Sequence, residues 1–119
     1  MKKGKFYIKT DKGGKIHLEE KEGYIIEYQL APRKVVQIGI RKEKRFYGME
    51  WIATDLATGI QLFEPETTRR DLLNTIIQRH GILQKVYNSE KYANLVLDFQ
   101  SLKWDKERIR DLPLHIREG

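Results

Sequence analysis

The chain has 119 residues, no cysteine, and 23 Lys and Arg against 17 Asp and Glu, a formal net charge of +6. That length suits one domain, whose folding buries roughly two thirds of the unfolded surface, and the missing thiols exclude disulfides, thiolate chemistry and cysteine zinc sites. With 39% apolar and 34% charged residues, the composition is too hydrophobic and too well patterned for disorder and predicts a soluble globular fold.

The charge is unevenly spread. Residues 1–45 hold 13 of the Lys and Arg and 6 of the Asp and Glu, leaving 10 and 11 for the rest of the chain. One half is basic and the other near neutral, which points to an anionic partner. Met1-Lys2-Lys3-Gly4-Lys5 begins like a basic leader, yet further charges and Gly13-Gly14 interrupt the next residues, so no apolar leader core forms. No run reaches transmembrane length. The expected location is the cytoplasm, with no membrane partner.

Short alternating segments at residues 5–9 and 15–18 flank Gly13-Gly14, a pair that supplies the positive φ of a hairpin turn. Tyr24, Ile26, Tyr28 and Leu30 alternate with Ile25, Glu27 and Gln29 as in a half-buried strand, which Ala31-Pro32 stops. Residues 35–41 read as the next strand, Arg41-Lys42-Glu43-Lys44-Arg45 as a charged turn, and residues 46–54 as an aromatic-rich strand. Asp55 to Gly59 then forms a loop before a short strand at residues 60–63, giving five or six strands in all.

Beyond Pro65 the period becomes helical, with Leu72, Leu73, Ile76, Ile77 and His80 on one face. Thr68 is the predicted N-cap, Asp71 completes a variant capping box, and Gly81 fits the terminator of a helix over residues 69–80. Ser89 caps a second helix over 89–103, with Leu95-Val96-Leu97 also readable as a strand. Past Trp104 the chain reads as charged and irregular, with Leu112, Leu114 and Ile116 available as an edge segment around Pro113. The fold predicted is α+β: one domain over 1–119, with a β-rich basic half (1–64) whose twisted antiparallel sheet packs against a helical half (65–119).

Two stretches carry candidate binding residues. Arg69 and Arg70 follow Thr68 into the first turn of a helix whose macrodipole is positive there, a local penalty that a bound phosphate would offset. Arg33, Lys34, Arg41, Lys42, Lys44 and Arg45 lie among Tyr28, Phe46, Tyr47 and Trp51, the mixture that suits phosphate contacts with base stacking. Each has a plainer reading. The arginines would point to water or pair with Glu64 and Glu66, and the aromatics would be core, with the lysines guarding an edge strand.

Catalytic patterns are weak. Asp11 followed by Glu19-Glu20-Lys21 resembles the acidic-acidic-lysine order of Mg-dependent PD-(D/E)xK nucleases. His17, His80 and His115 show no ligand spacing, Ser89 and Ser101 lack a nucleophile context, and no GxGxxG or phosphate-binding loop implies a cofactor.

The stretch Trp51-Ile52-Ala53-Thr54-Asp55-Leu56-Ala57-Thr58-Gly59-Ile60, with Thr67-Thr68-Arg69-Arg70, resembles small uncharacterised accessory proteins of bacteriophages and other mobile elements. The resemblance implies a factor that interferes with host defence by binding a nucleic acid, a nucleotide signal or a host protein. The function expected is non-enzymatic capture of a phosphate-bearing ligand, a nucleotide or a nucleic acid, by Thr68, Arg69, Arg70, Arg41, Lys42, Lys44 and Arg45. Two alternatives stand beside it, a protein-protein inhibitor with a basic surface and a Mg-dependent nuclease, and a homo-oligomer is compatible with every one of these readings.

Overall fold

The computed structural model describes residues 1–46 and 48–111. They form β1 (Lys2–Lys12), β2 (Lys15–Ala31), β3 (Lys34–Arg45), β4 (Gly48–Asp55), β5 (Gln61–Glu66), α1 (Arg69–Gln78), α2 (His80–Tyr87) and α3 (Glu90–Asp111). The strands lie in sequence order in one open sheet with every neighbour antiparallel. The architecture is α+β, with the helices at the C-terminal side of the chain, as the change of hydrophobic period predicts.

One strand replaces two predicted ones. β2 runs 17 residues without a break, pairing with β1 as far as Ile25 and with β3 from Tyr24 onward. Gly23 marks the change of partner. A Cβ there would run into the Ile40 carbonyl, so a larger residue would hold β3 away. Beyond this point the β1–β2 ribbon bends over the sheet. The Lys9 N–H donates to the Gly59 carbonyl at 2.8 Å, and the Phe6 ring lies against the bare backbone of Gly39, where a Cβ would approach it to 2.8 Å.

The charged run 41–45, expected as a turn, is strand. Arg41 to Arg45 pair with Ile52 to Gly48, and the hairpin reverses between Arg45 and Gly48. The ladder on β4 explains this, because each of these residues has a directly opposite partner that fixes an extended backbone.

The helices cover one face of the sheet. Leu72 and Ile76 of α1 and Leu83 and Tyr87 of α2 are buried against Leu30, Ile38, Ile40 and Ala53. The first helix is shorter than predicted. It ends at Gln78, Arg79 turns the chain with φ −99° and ψ 25°, and Gly81 falls in the first turn of α2 instead of terminating α1. The Ser89 hydroxyl caps α3 by accepting from the Tyr92 N–H at 3.2 Å, and α3 continues past Trp104. Its last turns are tied down by Lys106, which donates to the Leu18 carbonyl at 2.7 Å and lies 5.5 Å over the Tyr7 ring. The expected edge segment at Leu112, Leu114 and Ile116 lies outside the described residues. No described helix is long and apolar enough to cross a membrane.

Candidate functional site

Because 41–45 is a strand, its side chains alternate between the two faces of the sheet. The predicted basic cluster is thereby split. Arg41, Glu43 and Arg45 share one face, where Arg41 is 8% exposed. Its Nε donates to Glu43 at 3.0 Å and its second guanidinium nitrogen to the Thr54 hydroxyl at 3.0 Å. Lys21 joins the same face, pairing with Glu19 at 3.1 Å and Glu43 at 3.6 Å, and Arg45 pairs with Glu50 at 3.2 Å. The nearby Lys21 ammonium, through its hydrogen bond and its charge, holds the Glu19 carboxyl below its ordinary value. Arg41 and Arg45, both predicted as ligand contacts, are thus neutralised by carboxylates of the same chain.

Lys42 and Lys44 point the other way. They stand opposite Trp51 and Met49, are exposed, and form no ion pair among the described residues. This is the face that carries the helices, and the start of α1 arrives beside the hairpin. The Arg69 guanidinium carbon lies 5.9 Å from the Trp51 ring centre and 6.0 Å from that of Tyr24. Tyr24 in turn stands opposite the exposed Lys3 of β1. The two stretches that the sequence offers separately therefore meet through Trp51.

Thr68 is the N-cap, as its sequence context predicts. Its hydroxyl accepts from the Asp71 N–H at 3.1 Å and satisfies one of the free amides of the first turn. Arg70 is exposed beside it and has no ion pair among the described residues. Glu66, the residue opposite Trp51 on β5, forms no ion pair with either arginine among the described residues, and its carboxylate accepts from the Thr75 hydroxyl at 3.0 Å.

The nuclease pattern is not assembled. Asp11 accepts from the Gly14 N–H of the first hairpin at 3.0 Å, while Glu19 is held by Lys21. No cluster of three acidic or histidine ligands is formed among the described residues. His80 bonds the Tyr28 hydroxyl through Nδ1 at 2.5 Å.

Sequence reasoning missed a buried polar group centred on Asp55, which is 2% exposed. Its carboxylate accepts from the Thr58 hydroxyl at 2.7 Å and the Tyr87 hydroxyl at 3.0 Å. Burial, reinforced by the Asp55 charge, pushes the Tyr87 and Tyr92 hydroxyls far above the ordinary tyrosine range, so both keep their protons. The local signal was Asp55 three residues before Thr58, a turn-closing arrangement; the tyrosines enter only through the fold.

Compared with known proteins, the chain matches no family model, and neither curated proteins nor solved structures give a match.

Proposed function

We propose that the protein binds a single-stranded nucleic acid, without transforming it, through Lys42, Lys44, Arg69 and Arg70. The observation that carries this reading is the sorting of charge between the faces of the β3–β4 hairpin: Arg41 and Arg45 are ion-paired on one face, while Lys42 and Lys44 lie on the face that Arg69 joins through Trp51. Holding several like charges together costs free energy, which a polyanion would offset.

An extended ligand fits better than a mononucleotide. Lys42 and Lys44, two residues apart on a strand, stand roughly 6–7 Å apart in a line, and their exposure suits a backbone that passes across them. The half-buried Trp51 and Tyr24 rings, with the Arg69 guanidinium near both, offer stacking surfaces for unpaired bases. In the setting that the resemblance to mobile-element proteins implies, such binding would interfere with a host defence system.

Titration of a fluorescein-labelled 15-nucleotide strand by anisotropy across a salt series tests the reading. Three or four phosphate contacts give a fall of log affinity with log salt of slope about −2 to −3. No binding at about 50 mM salt, or binding indifferent to salt, would contradict it.

A further inference from the structure

We propose that the protein has a second ligand site, the cavity between β5, α2 and α3, and that it takes a small organic cation with an apolar body. The cavity measures about 310 Å³ and is walled by Leu62, Phe63, Leu83, Val86 and Leu95, with Asp55, Thr58 and Tyr92 also lining it. Asp55, Thr58 and Leu83 are at most 2% exposed whereas Val86 is 42% exposed, so the carboxylate lies deep and the mouth opens beside α2. Apolar walls around a few polar groups, at the small end of the usual size range, describe a site for a single-ring ligand.

The charge of the ligand follows from Asp55. Buried carboxylates are normally neutralised by a cation, yet the groups that hydrogen-bond this one, the hydroxyls of Thr58, Tyr87 and Tyr92 and the Ala57 N–H, are all neutral. No Lys, Arg or His pairs with it among the described residues. Arg79, which stacks on this wall at 5.6 Å from the Phe63 ring, lines the adjoining cavity instead. A protonated amine entering beside Tyr92 would supply the missing positive charge, and an anion would be repelled.

A second observation marks the same wall. Phe63 has φ +60°, the left-handed region that a bulky side chain adopts only under constraint, and such residues gather at ligand-clamping sites. The strained backbone holds the ring in the cavity lining.

The test uses three probes with one ring and different heads: 2-phenylethylamine, 2-phenylethanol and 3-phenylpropanoate, each titrated at pH 7 into ¹⁵N-labelled protein. The amine is expected to shift the amides of Leu83, Val86 and Leu95 and to bind about tenfold more tightly than the alcohol, the worth of one charge-assisted hydrogen bond. The propanoate is expected to leave them unmoved. Asp55→Asn should erase the preference for the amine. Should that variant not fold, Val86→Trp, which fills the mouth from an exposed helix position, should abolish the shifts from both amine and alcohol. Equal affinity for amine and alcohol, no shifts with any probe, or undiminished binding in Val86→Trp would overturn the proposal.

Discussion

The guanidinium of Arg69 rests on the ring of Trp51, 5.9 Å from its centre, and this stacking joins the first residue of α1 to the middle of β4. Arg69 therefore has a packing role that Arg70 lacks. Arg69→Gln is expected to lower stability by about 0.5–1 kcal/mol, the worth of an exposed cation–π contact. Arg70→Gln should stay within about 0.5 kcal/mol of the parent. Both should weaken oligonucleotide binding. Urea denaturation beside the anisotropy titration separates the two roles, and equal destabilisation by both substitutions would contradict the assignment.

The buried Asp55 group sets a pH limit on the fold. Tyr87 is 4% exposed, and burial together with Asp55 raises its hydroxyl far above the ordinary value near 10. A raised folded-state value means that its contribution is intact below pH 10 and is lost as pH rises beyond it, because only the unfolded chain then releases the proton. The loss reaches about 1.4 kcal/mol per pH unit. Comparing the parent with Tyr87→Phe between pH 9 and 11 isolates this slope from lysine titration. The parent should lose stability more steeply, and identical slopes would contradict the account.

Truncating the carboxylate itself is more damaging. Asp55→Ala strands the hydroxyls of Thr58 and Tyr87 in the interior, and a buried network broken on one side costs about 3–5 kcal/mol. Chemical denaturation should show that loss, and a change below about 1 kcal/mol would mean that water reaches the group.

Glycines separate the bend of β2 from the first hairpin. Gly23→Ala places a methyl group against the Ile40 carbonyl and should cost about 2–3 kcal/mol or more, as overpacking does. Gly13→Ala, at φ +63° with open space around it, should cost only about 1 kcal/mol for the backbone alone. Thermal melts of the two variants check the order.

The local parts of this fold are legible in the residues. Gly13-Gly14, the alternation of β2 from Tyr24, the Thr68 cap and the Ser89 cap are each encoded within a few positions, and each is found in the structure. The features that sequence reading missed are non-local or unmarked. Gly23 lies between the two segments that the sequence offers as separate strands, and its role, to admit β3, depends on the distant Ile40 carbonyl. The turn at Arg79 carries neither Pro nor the Gly, which comes two residues later. Within the candidate site, the division of Lys42 and Lys44 from Arg41 and Arg45 follows from period two once the run is a strand. Knowing that it is a strand required its register with β4. The Asp55–Tyr87 bond spans 32 residues and leaves no local trace.

The most direct test of nucleic-acid binding compares two charge reversals that change net charge equally. Lys42→Glu with Lys44→Glu alters the hairpin face beside Trp51, and Lys12→Glu with Lys15→Glu alters the exposed tip of the β1–β2 ribbon. Measured by anisotropy with the same single strand at one salt concentration, the first pair should lose about tenfold or more in affinity, while the second loses at most about threefold; across a salt series the first pair should also flatten the slope by about 1–1.5. Equal losses from both pairs would show that overall charge and not this surface attracts the strand, and would contradict the account.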